Sequence, residues 1–222
     1  MYDIIPGILE KDFVQIEKKI ELVRGFAKTI HVDIIDTKFS SSTTFFDPKP
    51  FAKYTNDFLF EVHLMVKDPE KIIPLWRNAG IRGIVIHAET ENIEELAQKY
   101  YSENFERESP LYTELGIAVN LNTPIEIVYP LVEMSDFIQL MGIEEIGAQG
   151  RPFDERVYEK IKDLKAKFPH CIISIDGGVS EENAQKLIDC GADKLVIGSA
   201  VFGNQNPAEA YKRIRASLVN KK

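Results

Sequence analysis

The sequence predicts an α/β protein with a single domain over residues 1-222, folded as a (β/α)8 TIM barrel. Strand-length apolar runs alternate with helical segments eight times along the chain, a pattern typical of a parallel sheet covered by helices. Each repeat averages about 28 residues, the length expected for this barrel. No low-complexity tract or linker divides the chain, and 44% hydrophobic residues are enough for one large core.

The first four repeats extend from residue 3 to residue 101. Their strands are apolar runs bounded by turn residues, predicted at residues 3–9, 29–35, 59–65 and 83–87. Their helices have apolar residues three or four positions apart, or a capping residue followed by proline, and are predicted at about residues 12–25, 68–79 and 92–101. A polar loop over residues 37–47 and a short helix near Pro48 complete the second repeat.

The last four repeats follow a polar, acidic segment, residues 102–114, which exceeds the repeat length and is expected to be a surface excursion. Their strands are predicted at residues 115–121, 137–141, 171–176 and 194–197. Their helices are predicted at residues 153–168, 181–190 and 207–219, with another beginning at Thr123 and Pro124. A glycine-containing loop, residues 142–152, separates the sixth strand from its helix.

Polar side chains interrupt three of the predicted strands. His31 and Asp33 project from the same face of the second strand because side chains alternate along a strand. His63 lies within the third strand, and Asp176 ends the seventh. A buried carboxylate must be paired, hydrogen-bonded or bound to a metal ion. The four residues would form a shell for a divalent ion if the strands converge, with zinc the first expectation and iron, manganese or cobalt also suited.

Glycines follow the seventh and eighth predicted strands. In this type of barrel the site lies at the carboxyl ends of the strands, and the loops after strands seven and eight often hold a phosphate. Those loops contain Gly177, Gly178, Gly198 and Ser199, and glycines let backbone amides approach an anion closely. The sequence therefore predicts a small phosphorylated metabolite bound beside the metal cluster.

The net charge of −8 and the pI of about 5.2 argue against nucleic acid or an anionic membrane as the main partner. The sequence has neither a signal peptide nor an apolar run of membrane-spanning length, so a cytoplasmic location is expected. Cys171 and Cys190 have no CxxC spacing and are expected to be structural.

A few further polar residues are given lesser roles. Asp36 is expected to cap or brace the loop after strand two, and His87 either to touch the substrate or to brace the site. His170 precedes its strand, faces the opposite end of the barrel and is given no role. Lys38 and Arg151 are interpreted as solvated loop charges, with contact to a phosphate or a sugar hydroxyl as the alternative.

Motifs along the whole chain recur together in one known family. The segments are IIPGILEKDF, HVDIIDTKF, EVHLMVKDPEK, IHAE, AVNLNTP, LMG, IDGGVSEENA and GADKLVIGSAVFG. In this order, on eight repeats, they resemble the ribulose-phosphate 3-epimerase family, a TIM barrel of the ribulose-phosphate binding type. The resemblance implies an isomerase of the pentose phosphate pathway. It would invert C3 of D-ribulose 5-phosphate to D-xylulose 5-phosphate by two-aspartate proton transfer through an enediolate.

The resemblance also assigns roles to residues. On the family pattern His31, Asp33, His63 and Asp176 bind the divalent metal ion, and Asp33 and Asp176 are also the catalytic acid and base. The expected phosphate and substrate contacts are Met65, Met141, Gly147, Gly177, Gly178, Gly198 and Ser199.

The chain departs from the family pattern near the expected site, and these departures leave alternatives open. Gly7 stands where the family usually has serine, and the loop GIEEIGAQGRPF is one residue longer than the usual NPGFGGQ pattern. The alternatives are an epimerase of another ketose phosphate, such as allulose 6-phosphate, and a catalytically silent barrel that binds a sugar phosphate. A lyase ranks lower because related lyases resemble each other in a D-x-K-x-x-D pattern on the corresponding strand, and this chain has Asp33-Ile34-Ile35-Asp36 there without the lysine. A homo-oligomer is left open.

Overall fold

The computed structural model describes residues 2–39, 42–103, 109, 112–148 and 150–218. Eight parallel strands form a closed barrel in chain order, and the first strand pairs with the eighth. The strands are β1 (Asp3–Ile8), β2 (Thr29–Ile35), β3 (Leu59–Met65), β4 (Gly83–His87), β5 (Glu114–Val119), β6 (Phe137–Met141), β7 (Ile173–Asp176) and β8 (Lys194–Ile197). The predicted (β/α)8 TIM barrel is confirmed.

Helices alternate with the strands, and individual residues determine where two of these helices begin or end. They are α1 (Phe13–Val23), α2 (Pro69–Asn78), α3 (Ile93–Glu103), α4 (Arg156–Lys167), α5 (Glu181–Cys190), α6 (Ser199–Phe202) and α7 (Pro207–Ser217). The Asp12 carboxylate accepts a hydrogen bond from the backbone N–H of Gln15 and so caps α1. Gly191 ends α5 with a φ of 118°, which a residue with a side chain rarely adopts.

The segments after β2 and β5 are 3-10 helices rather than α-helices. They cover Lys49–Tyr54 and Ile125–Met134. Pro130 lies inside the second segment, where it has no N–H to donate and its ring disfavours a regular α-helix. The sequence located both segments correctly, but its apolar spacing does not distinguish these two helix types.

Several predicted bounds need correction by a few residues. β1 ends at Ile8, β5 covers Glu114–Val119 and β7 begins at Ile173. α4 begins at Arg156 rather than at residue 153, because the Asp154 carboxylate accepts the Arg156 N–H and forms a turn before the helix. The short helix α6 was not predicted, since four residues are too few to show a period.

The predicted surface excursion, residues 102–114, is shorter than expected. Residues 102 and 103 belong to α3, and Glu114 belongs to β5. Most of the segment between them lies outside the described residues, as does residue 219 at the predicted end of the last helix. The predicted excursion therefore stays a prediction over those positions.

The main core lies between the barrel and the helices. Ile30, Val32 and Ile34 point outward from β2 and are almost fully buried. Trp76 of α2 is also fully buried, and its ring centroid lies 5.3 Å from that of Phe51. Such close-packed apolar contacts account for most of the fold's stability.

The inside of the barrel has a smaller apolar cluster of Val85, Ala118 and Phe137. Gly116 makes room for this aromatic ring, because an added Cβ would lie 2.4 Å from Phe137. The rest of the interior described below is polar. Among the described helices, none is long and apolar enough to cross a membrane.

Candidate active site

Four polar side chains from β2, β3 and β7 meet inside the barrel. One ligand atom from each of His31, Asp33, His63 and Asp176 lies within 4.8 Å of the others. His63 Nδ1 is 3.2 Å from Asp33 Oδ1 and 3.2 Å from Asp176 Oδ2. His31 Nε2 lies 3.5 Å and 3.7 Å from the same two oxygens. The structure thus brings together the four residues that the sequence predicted as a cluster.

The cluster has the properties of a site for a divalent metal ion. His31 Nε2 is buried and has no hydrogen-bond partner within the described part of the chain. The other ring nitrogen, Nδ1, donates to the Glu61 carboxylate at 2.8 Å, so Nε2 is the nitrogen left to bind a metal ion. His63 presents Nδ1 to the two aspartates and directs Nε2 to His87. Two imidazole nitrogens and two carboxylates therefore face one point and could hold a divalent ion.

The cluster is strongly coupled electrostatically. Burial alone would lower the pKa of His31, but the hydrogen bond to Glu61 and the nearby carboxylates of Asp33 and Asp176 raise it well above its ordinary value. Burial alone would raise the pKa of Asp33, but the imidazoles of His31 and His63 beside its carboxylate lower it. Because a metal ion competes with protons for the same atoms, ion binding at this cluster would release protons.

Three partners of the cluster were not predicted to have a role in it. Gln139 donates from Nε2 to Asp176 Oδ2 at 3.2 Å. Glu61 contacts His31, and Glu89 accepts from His87 Nδ1 at 3.1 Å. Glu61 and Gln139 are polar residues at interior positions of apolar strands, so they carried the same signal as the predicted ligands. Glu89 lies just after β4, where an acid has no distinguishing pattern.

A cavity opens above the cluster at the carboxyl ends of the strands. Asp33 and Asp176 line it, each with a side chain 13% exposed, while His31 and His63 are fully buried beneath. The other predicted contacts also line the cavity: Met65, Met141, Gly147, Gly177, Gly178, Gly198 and Ser199. The predicted metal-binding and substrate-binding groups are therefore parts of one continuous site.

Backbone conformation after β7 depends on glycine. Gly177 and Gly178 have φ values of 98° and 68°, in the left-handed region that side chains disfavour. At Gly178 an added Cβ would also lie 2.8 Å from Phe153 Cα. Both positions therefore require glycine, and they place backbone without side chains at the cavity wall.

The residues that depart from the family pattern lie around the same cavity. Gly7 lines it, and an added Cβ there would lie 2.8 Å from Val196 Cγ1. Arg151 lines it too, although the sequence suggested a solvated charge, and its guanidinium lies 3.0 Å from Glu145. Arg151 is the only cationic residue among those that line the described part of the cavity, and Lys38 does not line it.

The residues with a minor predicted role or none lie where such roles are expected. The Asp36 carboxylate accepts from the backbone N–H groups of Lys38, Phe39 and Lys67, so its predicted bracing role is confirmed. His87 braces His63 from within the barrel, with their Nε2 atoms 2.8 Å apart. His170 is exposed and pairs with Glu133, outside the cavity.

The two cysteines are unpaired. Cys171 is buried and Cys190 is half-buried, and each is a free thiol. Burial raises the pKa of the Cys171 thiol to about 11 and so disfavours the reactive thiolate. The expectation that Cys171 is structural agrees with this environment.

Comparison with known proteins extends over nearly the whole chain. A sequence model of the Ribulose-phosphate 3 epimerase family matches residues 3–202. The ribulose-phosphate 3-epimerase of Schizosaccharomyces pombe is 30% identical, and the match covers 97% of this chain and 93% of that protein. The enzyme of the same name from Bacillus subtilis is also 30% identical, with 98% of this chain and 100% of that protein covered.

Solved structures with much lower sequence identity share the fold. The 3-hexulose-6-phosphate synthase of Salmonella typhimurium superposes with a TM-score of 0.74 at 15% identity, and the match covers 98% of each chain. At this identity the likeness extends to the barrel architecture alone.

Proposed function

The chain belongs to the ribulose-phosphate 3-epimerase family, and from this premise we propose that it is a metal-dependent epimerase that converts D-ribulose 5-phosphate to D-xylulose 5-phosphate. The observation that carries the proposal is the pair Asp33 and Asp176. Both carboxylates open into the cavity, and both face the nitrogens of His31 and His63. Such a site has two acid/base groups and a set of metal ligands at the same place.

The strand order supports a role for the two aspartates on opposite faces of a substrate. β2 and β7 are separated by β1 and β8 in the closed barrel, so Asp33 and Asp176 approach the cavity from different sides. Inversion of a carbon centre requires removal of a proton on one face and its return on the other, and each aspartate can supply one step. Positioned proton transfer typically contributes ~10²- to 10⁴-fold to a rate.

The same proposal assigns the metal ion and its ligands. His31, Asp33, His63 and Asp176 would hold a divalent ion, with zinc as the first choice and iron, manganese or cobalt as alternatives. When bound, the ion supplies Lewis-acid stabilisation of the negative charge that develops on the substrate oxygens. Gln139 and Glu61 then keep Asp176 and His31 in place by their hydrogen bonds.

The remaining wall of the cavity would bind the rest of the substrate. Gly177, Gly178, Gly198 and Ser199 are proposed to hold the phosphate, with Gly147 closing the site from the loop after β6. The thioether side chains of Met65 and Met141 provide an apolar surface above the metal cluster. The proposal treats residues 1–222 as one domain that acts in the cytoplasm.

A second candidate is an epimerase of another ketose phosphate, such as allulose 6-phosphate. Two lining residues favour this second candidate. Gly7 contributes no side chain to one part of the cavity wall, and Arg151 contributes a cation to another part. A silent sugar-phosphate-binding barrel is disfavoured, because burying four ionisable groups around one point is costly for a protein that makes no use of them.

The test is a coupled assay of xylulose 5-phosphate formation, run on protein stripped of metal and then reloaded with zinc, manganese or cobalt. We expect turnover to be lost on stripping and restored on reloading. Allulose 6-phosphate in a parallel assay distinguishes the two epimerase candidates by kcat/KM. Binding of both sugar phosphates without conversion of either would support the silent barrel instead.

A further inference from the structure

A chain of charged groups runs through the barrel interior below the metal cluster. His31 Nδ1 donates to Glu61 Oε1 at 2.8 Å, and Lys194 Nζ donates to Glu61 Oε2 at 3.2 Å. Lys194 also lies 3.3 Å from Glu114 Oε2, at the more exposed end of the chain. The Glu61 side chain is only 2% exposed and that of Lys194 13%, so the central ion pair is shielded from water.

The surrounding structure accommodates this pair closely. An added Cβ at Gly83 would lie 2.9 Å from Glu61 Cα, so only glycine fits beside Glu61 without displacement. The Lys194 ammonium lies 3.7 Å above the ring of Phe137, which stabilises the cation by a cation–π contact. The pair is therefore held between a glycine on one strand and an aromatic ring on another.

Stability alone does not explain a buried ion pair at this position. Replacing such a pair with apolar residues of similar volume is often neutral or stabilising, because the pair loses its hydration on burial. Here the carboxylate has a second contact, with a proposed metal ligand. Since Glu61 only accepts hydrogen bonds, it requires a proton on His31 Nδ1 and leaves the lone pair on Nε2.

The second histidine of the cluster has a different partner. His63 Nε2 faces His87 Nε2 at 2.8 Å, and a neutral imidazole holds a ring less firmly than a carboxylate. His31 Nε2, by contrast, lacks any hydrogen-bond partner among the described residues and points at both aspartates. His31 is thus the ligand whose orientation depends on a buried charge.

We propose that Glu61, held in place by Lys194, is the positioning residue that fixes His31 with Nε2 directed at the divalent ion. The inference rests on the proposed function, because it needs the metal site that His31, Asp33, His63 and Asp176 would form. Neither Glu61 nor Lys194 lines the cavity, so neither touches the substrate. Their effect on the reaction passes through His31.

The test measures metal affinity rather than turnover. In the double variant Glu61→Met/Lys194→Met apolar side chains of similar length replace the whole pair, so both of its charges are removed together. We expect the metal-free double variant to melt close to the parent protein and to bind Zn²⁺ about 10- to 100-fold more weakly, the usual loss when the outer partner of a metal-binding histidine is removed. Calorimetry with a competing chelator gives the dissociation constant.

Two further variants separate positioning from other effects. Glu114→Gln removes the outer contact of Lys194 but leaves the contact between Glu61 and His31, so its Zn²⁺ affinity should stay within about twofold of the parent. Glu61→Gln keeps the size and polarity of the side chain and gives an answer even if the double variant does not fold; it should weaken Zn²⁺ binding about tenfold. In the Co²⁺-loaded forms, the visible absorption bands of the two Glu61 variants should differ from those of the parent and Glu114→Gln.

Two results would overturn the inference. If the parent binds Zn²⁺ and both Glu61 variants bind it within twofold of the parent, Glu61 does not position His31, while the proposed metal site stands. If the parent itself binds no divalent ion, both the proposed metal site and this inference are wrong.

Discussion

His63 is linked to the protein surface by two hydrogen bonds in series. Its Nε2 lies 2.8 Å from His87 Nε2, and His87 Nδ1 donates to Glu89 Oε2 at 3.1 Å. Glu89 is also held by the hydroxyl of Thr123 and by the N–H of Asn120. Burial lowers the pKa of His87, so this ring stays neutral and can accept from His63 while it donates to Glu89.

The Glu89 contacts predict a dependence of stability on pH. Partial burial raises the pKa of Glu89, but hydrogen bonds from His87 and Thr123 outweigh it and set the pKa to about 2. The stabilisation is therefore fully present above the unfolded value of about 4.5 and is lost as pH falls toward 2. In metal-free protein, the parent should lose about 1 kcal/mol more than Glu89→Gln between pH 6.5 and pH 3.5. Urea unfolding at both pH values measures this difference, and equal losses would contradict it.

Among single residues, the sequence predicted the members of the cluster better than the residues that support them. His31, Asp33, His63 and Asp176 stood out because each is polar within or at the end of an apolar run. Lys194 begins its strand, where a lysine normally faces solvent, and only the closed barrel places it beside Glu61. A contact between strands three and eight is a product of closure and has no local pattern.

The loop after β6 carries the main departure from the family pattern. Arg151 lines the cavity and lies 3.0 Å from Glu145 of the same loop. A guanidinium beside the proposed phosphate-binding wall can make charge-assisted hydrogen bonds with a phosphate, worth about 1.5–3 kcal/mol each. The loop therefore contributes a cation to a cavity whose other charged lining residues are two aspartates.

Arg151→Gln should raise KM for the sugar phosphate by about tenfold and change kcat by less than about threefold. Lys38→Gln is the matched control, because Lys38 is also a cation in a loop at this end of the barrel but does not line the cavity. Steady-state kinetics at fixed ionic strength compares the two. Equal KM values for Arg151→Gln and the parent would show that the arginine stays with Glu145.

The glycines after β7 give a second prediction at the level of a loop. Gly178→Ala combines a φ of 68° with a Cβ only 2.8 Å from Phe153 Cα, and should cost about 2–3 kcal/mol of stability. Gly150→Ala has a similar φ of 74°, but no described atom outside its chain neighbours lies within 4 Å of the added Cβ, so it should cost about 1 kcal/mol. The free energies of unfolding of the two variants, measured with urea, separate backbone strain from steric clash. If both variants lose the same stability, the neighbours of residue 178 have moved to relieve the clash.

The sequence predicted helices and strands well where the periodic pattern of apolar residues extended over enough residues. Five strands have the predicted bounds because apolar runs flanked by turn residues define them. The 3-10 helix Ile125–Met134 was located but not identified, since Pro130 changes the hydrogen bonding without changing the apolar spacing. The helix α6 is shorter than any window that could reveal it.

Closure of the barrel joins all the features of the site. The proposed ligands come from β2, β3 and β7, and the support of His31 comes from β3 and β8. The eightfold repeat was sufficient to predict the barrel. The barrel in turn predicted a site at the carboxyl ends of its strands. The distances that make four separate residues into one cluster required the structure.

An ion bound by residues from three strands should stabilise the whole molecule. A ligand at a concentration of 100 times its dissociation constant adds about 2.7 kcal/mol to the folded state. For a chain of this size the parent should then melt about 5–10 °C higher than the metal-free protein. His63→Gln should reduce this shift to less than about 2 °C, which differential scanning calorimetry can detect. An equal shift in the variant would place the bound ion elsewhere.

The central claim, that Asp33 and Asp176 are the two acid/base groups of an epimerase, is tested most directly by solvent deuterium incorporation at C3 of ribulose 5-phosphate, followed by NMR. Metal-loaded parent protein should form xylulose 5-phosphate that carries deuterium at C3, and Asp176→Asn should lower this conversion by at least ~10²-fold. Allulose 6-phosphate run in parallel shows which sugar the cavity prefers. Metal-loaded parent without exchange on either sugar, or a variant as active as the parent, would contradict the account.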